Sequence, residues 1–217
     1  MHMTDLSTLT FHRGPFGAII VDPPWRYTQQ LGRGQSVGDS TRGGLPYESM
    51  SVEEIKSLPI GQVASRDCAL VLWTTNTFLP DAFEVLKAYG FTYKVALTWV
   101  KDRIGLGYWL RGQTEHALLA VKGNPRRKFT GPHGAMGSKT WSTALHAPRS
   151  EHSQKPGEVW VMVEDLFDGP YLELFARHHR QGWTAWGNQV PVWTQNTLKD
   201  AVQVPLDADS GPVGESH

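Results

Sequence analysis

The chain has 217 residues and a single cysteine, Cys68, so neither a disulfide framework nor a cysteine-built zinc site is available to it. Cys68 opens the apolar run Cys68-Ala69-Leu70-Val71-Leu72-Trp73, which suits a buried structural thiol in a reducing compartment better than a nucleophile. Net charge is also lacking: 21 basic residues balance 21 acidic ones. A protein that coats nucleic acid through bulk charge is thereby disfavoured, which leaves a local basic patch. No apolar run approaches the roughly 18 residues of a membrane span. The opening Met1-His2-Met3-Thr4-Asp5 does not have the basic-then-apolar form of a signal peptide. A cytoplasmic protein is expected. There is no internal repeat, and no G-x-G-x-x-G follows the first apolar run, so a dinucleotide site of the usual kind has no support. No H-E-x-x-H or comparable ligand spacing joins His116, His133, His146, His152, His178 and His179, and no metal centre is expected.

Hydrophobic residues make up 40% of the chain, enough for one α/β domain with a sizeable core. Its first run, Phe16 to Val21, is short, β-branched and bounded by Gly and Pro, and predicts a buried strand. That strand stops at Asp22-Pro23-Pro24-Trp25-Arg26-Tyr27. Two prolines cannot continue a sheet and fix a stiff turn. In open α/β sheets the carboxyl end of a strand is where ligands bind. An acid, two free carbonyls and the aromatic faces of Trp25 or Tyr27 make a grip for a nucleobase amino group. Taken alone, the four residues D-P-P-W are better explained as a capped strand end with a core Trp, because so short a motif arises often by chance, so the rest of the chain has to decide.

Residues 28–48 are rich in Gly, Ser, Gln and Arg and read as a long loop, with Arg33 and Arg42 placed to meet phosphates or simply solvated. Ser51-Val52-Glu53-Glu54 is a capping box that predicts a helix to about Leu58. A strand over Cys68–Trp73, a helix from Thr75 to Gly90 and a strand from Phe91 to Lys101 follow. The Gly-rich link 102–112 carries Tyr108 and Trp109, either to close over a ligand or to pack on the sheet. Another strand is expected over Glu115–Val121. Residues 124–154 hold the densest basic content, including Arg126, Arg127, Lys128, Lys139 and Arg149, with Phe129 and Trp141 interleaved. That composition favours contact with an anionic polymer. Lys155-Pro156 opens a helix to Phe167, and strands are expected over Tyr171–Arg177 and Trp183–Trp186. Beyond Trp193 periodicity is lost, so 1–193 is read as one domain and 194–217 as a mobile tail. The alternation of strands and helices predicts a mainly parallel sheet covered on both faces.

The order D-P-P-W, His152-Ser153-Gln154-Lys155-Pro156, Glu173-Leu174-Phe175-Ala176-Arg177 and Trp186-Gly187-Asn188-Gln189 resembles the MT-A70-like family of S-adenosylmethionine-dependent adenine-N6 methyltransferases, in its bacterial or phage form. The resemblance covers roughly residues 14–190 by eye. It implies a Rossmann-like methyltransferase fold in permuted order, with the catalytic turn ahead of the main cofactor strand. It further implies that Asp22, Pro23, Pro24 and Trp25 meet the target amino group. Lys155 is implied to hold the carboxylate of S-adenosylmethionine, and Glu173, Phe175, Arg177, His179, Asn188 and Gln189 to complete the cofactor pocket. Arg180 departs from the Asn that eukaryotic members carry. Tyr27, Tyr108, Trp109, Arg126, Arg127 and Lys128 are the expected nucleic-acid contacts, with DNA favoured on the bacterial or phage resemblance. An RNA substrate, and an inactive nucleic-acid-binding homologue, stay open as alternatives. The presence of both Asp22 and Lys155 favours activity, because degenerate partner subunits of the family tend to lose the acid.

Overall fold

A computed structural model describes residues 15–27, 30–31, 35–36, 49–105, 109–128, 141–149, 154–187 and 190. The strands are β1 (Phe16–Val21), β2 (Gln30–Leu31), β3 (Gln35–Ser36), β4 (Ala64–Thr75), β5 (Thr92–Val100), β6 (Thr114–Lys122), β7 (Ala144–His146), β8 (Tyr171–Leu174) and β9 (Trp183–Trp186). The helices are α1 (Val52–Lys56), α2 (Ile60–Val63), α3 (Leu79–Ala88) and α4 (Glu158–Leu166). Seven strands form one sheet in the order β7-β5-β6-β4-β1-β8-β9, and β2 and β3 pair separately. Every neighbouring pair in the seven-stranded sheet is parallel except the two that involve β6, which runs against both β4 and β5.

Local sequence accounts for much of this. In β1, five of six residues are buried, and the strand lies between β4 and β8. The Ser51 capping box forms as its spacing predicts: Ser51 Oγ accepts from the Glu54 N–H, and Glu54 Oε2 accepts from the Ser51 N–H at 2.7 Å. Helix α3 starts later than its periodicity suggests, because β4 continues to Thr75. It closes at Gly90, whose φ of 78° is the left-handed conformation that a helix end demands of glycine. One face of the sheet packs Phe16, Ile19, Leu70 and Leu72 against α1, α2 and α3. The other packs Ala18, Ile20, Val71 and Trp73 against Val159, Trp160 and Val163 of α4. The sheet is thus mainly parallel with helices on both faces, as expected.

Cys68 is fully buried, and desolvation pushes its thiol up to about 12, which leaves it inert as a nucleophile. Among the described residues no helix is long and apolar enough to cross a membrane. Two expectations need correcting. The basic segment 124–154, for which the sequence predicts no strand, contains β7, which adds to the sheet edge beside β5. The strand expected to run to Arg177 ends at Leu174, because Phe175 turns the backbone with φ 63°. The expected tail, 194–217, lies outside the described residues.

Candidate active site

The strand order locates the site before any side chain is considered. From β1 the chain builds outward on one side through β4, β6, β5 and β7, then returns to the other side as β8 and β9. The reversal falls between β1 and β8, and the crevice outside their carboxyl ends is where an open α/β sheet binds ligands. Asp22 follows β1 and Phe175 follows β8, so the two flank this point; the Asp22 N–H lies 3.5 Å from the Leu174 carbonyl.

Lys155, just before α4, reaches Asp22 with Nζ 2.9 Å from each carboxylate oxygen. The same ammonium lies 3.4 Å from Glu115 Oε2, and Glu115 also pairs with Lys101. The Lys155 side chain is only 9% exposed. Burial works against its charge, but Asp22 and Glu115 outweigh that, and its pKa is held above the ordinary lysine value. Glu115 shows the mirror case: burial raises its pKa, Lys155 and Lys101 outweigh it, and the net result lies below the ordinary carboxylate value. Lys155 therefore acts first as counter-ion to Asp22, with two of its three donors directed at protein carboxylates. Arg177 lies close enough to oppose the Lys155 charge, which places it at the same crevice.

Glu173 is half-buried on β8, beside Ile20 of β1. Its Oε2 accepts from the Trp160 indole N–H at 2.9 Å, and Oε1 has no hydrogen-bond partner among the described residues. Burial pushes its pKa up to about 7, against the Trp160 hydrogen bond. The Arg180 guanidinium stacks 5.0 Å over the Trp160 ring and adds an opposing charge. Because Glu173 binds its proton more tightly when folded, its contribution to stability is present below about pH 4.5 and is lost as pH rises through about 7. Glu173→Gln keeps an acceptor for Trp160 and removes the charge. We expect the variant to gain roughly 2–3 kcal/mol over the parent at pH 8 and under about 1 kcal/mol at pH 5, read as thermal midpoints in the two buffers.

The remaining expectations divide. Phe175 packs edge-on against Trp186 at 5.8 Å, and a non-glycine residue at positive φ beside a candidate site is backbone strain where ligands bind. His179 is exposed on the link between β8 and β9, while Asn188 and Gln189 lie outside the described residues. Gly187, the glycine of W-G-N-Q, has a plain steric reason: a Cβ there would sit 2.4 Å from the Ala176 carbonyl oxygen and 2.7 Å from its nitrogen. Gly187→Ala should cost about 1–3 kcal/mol in denaturant unfolding, by forcing β9 away from the turn after β8.

The turn itself corrects the sequence reading in two respects. The two prolyl carbonyls are not free: Pro23 O accepts the Trp25 N–H at 2.9 Å and Pro24 O the Met50 N–H at 2.8 Å. Each oxygen keeps a second lone pair. Trp25 is not an open platform for a base. It is buried, donates its indole N–H to Trp73 O at 3.1 Å, and stacks on Phe78 at 5.1 Å. Its aromatic face is spent on anchoring the turn to β4 and Phe78. Tyr27 is 56% exposed, with its hydroxyl 2.9 Å from Thr75 Oγ1. Trp109 is 99% exposed on the link between β5 and β6, and Tyr108 lies outside the described residues.

Arg126, Arg127 and Lys128 lie at the other end of the sheet from Asp22. Because β6 is antiparallel, its start, Glu115, pairs with Thr75 at the crevice end of β4, while its end, Lys122, pairs with Cys68. Seven strand residues, about 20 Å, separate the two ends. The basic residues after β6 thus emerge at the far edge of the sheet from Asp22. There Lys128 binds Glu164 O at 3.0 Å, Tyr171 Oη at 3.2 Å and Asp168 at 3.3 Å, and so fastens the corner between α4 and β8. Trp141 likewise donates to Asp165 of α4 and packs on the core. Of this basic segment, Arg149 alone among the described residues returns to the crevice end, where its N–H binds Asp102 at 2.8 Å just past β5.

The residues that sequence reasoning missed are Glu115 and Lys101. Neither stands in a recognisable motif, and only the pairing of β6 with β4 and β5 brings them to Lys155.

Comparison with known proteins identifies the family. The family profile MT-A70 matches residues 16–189. The chain is 29% identical over 208 residues to the Type II methyltransferase M.MunI of Mycoplasma sp., covering 90% of this chain and 85% of that protein. It is 29% identical over 188 residues to the N(6)-adenosine-methyltransferase MT-A70-like protein of Arabidopsis thaliana, covering 82% of this chain and 24% of the relative. It is 30% identical over 188 residues to the N(6)-adenosine-methyltransferase catalytic subunit METTL3 of Homo sapiens, covering 82% of this chain and 28% of the relative. The chain therefore spans most of the Mycoplasma protein and about a quarter of the plant and human ones.

Proposed function

The chain belongs to the MT-A70 family and is a methyltransferase, and we propose that it transfers a methyl group from S-adenosylmethionine to N6 of adenine in DNA. The observation that carries this reading is the Asp22–Lys155 ion pair at the strand-order reversal, one strand away from Glu173. The adenine acceptor is the one named for the plant and human relatives. DNA is favoured because the relative matched along most of both chains is a Type II methyltransferase of a bacterium. The bacterial relative supports the cytoplasm of a bacterial or phage-infected cell as the place of work.

The residues fit the donor. Glu173 is a half-buried carboxyl whose Oε1 has no hydrogen-bond partner among the described residues, so it is open to a donor from outside the protein. Two ribose hydroxyls would be such donors. Lys155, and Arg177 whose charge acts on it, are cations available to a carboxylate. When bound, S-adenosylmethionine supplies a methyl group on a positively charged sulfur.

The protein's own part is to prepare the acceptor. The adenine amino nitrogen is a poor nucleophile because its lone pair is conjugated into the ring. Asp22 accepts one of its N–H bonds and the second lone pair of the Pro23 carbonyl accepts the other. This favours a tetrahedral nitrogen whose lone pair takes up the methyl as its bond to sulfur breaks; the surplus proton then leaves the nitrogen for solvent. Lys155 keeps its proton, so its contribution to Asp22 is electrostatic and not proton relay. The rate gain comes from positioning and preorganised charge. With the Trp25 ring committed to Phe78, Tyr27 and Trp109 are the aromatic faces for an adenine turned out of its stack.

The test is incubation with labelled S-adenosylmethionine and either DNA or RNA, followed by nucleoside mass spectrometry. Labelled N6-methyladenine from DNA is expected. Label on cytosine refutes the acceptor, label confined to RNA refutes the polymer, and no binding of S-adenosylmethionine by calorimetry refutes the donor.

A further inference from the structure

We propose that Glu115, itself held by Lys101, is a positioning residue that fixes Lys155 against the Asp22 carboxylate; the catalytic consequence rests on the methyltransferase reading above. Lys155 carries its charge on a flexible four-carbon stem, and one carboxylate would leave that charge free to swing. A second carboxylate on a different element removes the freedom. Glu115 is suited to this because it sits in the sheet, paired on one side with Thr75 and on the other with Trp99. Its Oε2 lies 3.4 Å from Lys155 Nζ, and its Oε1 is taken by Lys101.

Lys101 is fixed in turn. Its backbone N–H donates to Gln113 O at 2.9 Å, and its carbonyl accepts from Gln113 Nε2 at 2.8 Å. The two ammonium groups rest on a pair of tryptophans: Lys155 stands 5.5 Å over Trp73 and Lys101 4.8 Å over Trp99, with the two rings edge-to-face at 6.3 Å. The result is a row of alternating charge, Asp22–Lys155–Glu115–Lys101, drawn from β1, the approach to α4, β6 and β5. Only Asp22 at its end is directed at the acceptor. Errors of about 1 Å in such a group are costly, which is why its support should be visible in the rate.

Glu115→Gln in the full chain should lower kcat about ten- to hundredfold while KM for DNA and for S-adenosylmethionine stays within about twofold. The same substitution made in a Lys155→Met background should add no further loss. If Lys155→Met does not fold, the equivalent cycle of Lys101→Met with Glu115→Gln replaces it, and the two losses should again fail to add. Nitrogen-detected NMR of the lysine ammonium groups tests the placement without any turnover: the Lys155 signal, sheltered from exchange in the parent, should shift or broaden in Glu115→Gln. An unchanged kcat, a loss confined to KM, additive losses or an unaltered Lys155 signal would each overturn the proposal. Absence of methyl transfer by the parent protein would instead refute the proposed function, and the NMR readout would still decide the placement.

Discussion

Asp22→Asn should lower adenine methylation about 10²–10³-fold while leaving the protein folded. The magnitude is that of removing one preorganised polar group aimed at the reacting centre. Asparagine has nearly the volume of aspartate and keeps a carbonyl oxygen at the end of β1, so the turn and its anchor through Trp25 to Trp73 O survive. What it loses is the ion pair with Lys155 and, in the proposed mechanism, the negative charge opposite the acceptor N–H. Lys155 keeps Glu115 as partner, so its burial is still compensated in part. The effect should appear in kcat with little change in the affinity for S-adenosylmethionine, measured by single-turnover kinetics beside calorimetry. Activity within about threefold of the parent would remove Asp22 from the chemistry.

Lys155→Met acts in the opposite order, on stability first. It takes the single ammonium from between two carboxylates and leaves Asp22 facing Glu115 across an apolar side chain. Breaking a buried pair by removing one partner costs about 3–5 kcal/mol. The lower end is expected here, because Lys101 still compensates Glu115 and the Asp22 side chain is 23% exposed. For a domain of this size that is a fall in thermal midpoint on the order of 10 °C. Two pKa shifts bound the pH window. Glu115 is held below its ordinary 4.5, so its share of the stability is present above that pH and lost as pH falls through its folded value. Lys155 is held above its ordinary 10.5, so its share is present below that pH and lost as pH rises through its folded value. The gap between parent and variant should therefore be flat from about pH 5 to 10 and narrow outside that range. Asp22→Asn added to Lys155→Met should recover part of the loss, since it removes the charge left unpaired. A double variant no more stable than Lys155→Met would show that the ion pair is not what Lys155 contributes.

Much of the architecture can be read from the order of the residues. Short β-branched runs such as Phe16–Val21, and amphipathic runs ended by glycine such as that before Gly90, specify their conformation locally. Hydrophobic period and cap chemistry act over a few residues, and so they can be seen in a few residues. The same holds for D-P-P-W as a rigid acidic turn at the end of a strand. Where periodicity misled, it was at the ends of elements. Strand β4 runs on to Thr75 and delays α3, and β8 stops at Leu174 because the backbone turns at Phe175.

Strand direction was hidden, and it decided the most. An apolar run such as Glu115–Val121 alternates in the same way whichever way it points. Its antiparallel placement between β4 and β5 sends Arg126, Arg127 and Lys128 to the far end of the sheet and brings Glu115 to Lys155. The openness of Trp25 and of the prolyl carbonyls was equally beyond local reading, because their partners, Trp73, Phe78 and Met50, are remote in the chain. By itself, then, the sequence determined most of the element types and the acidic turn. These depend on side-chain chemistry and near-neighbour spacing. Only the tertiary structure decided that Lys155 is first the counter-ion of Asp22, that Glu115 and Lys101 stand behind it, and that the basic cluster belongs elsewhere. Those are matters of which strand lies beside which, and they follow from burying both faces of one sheet.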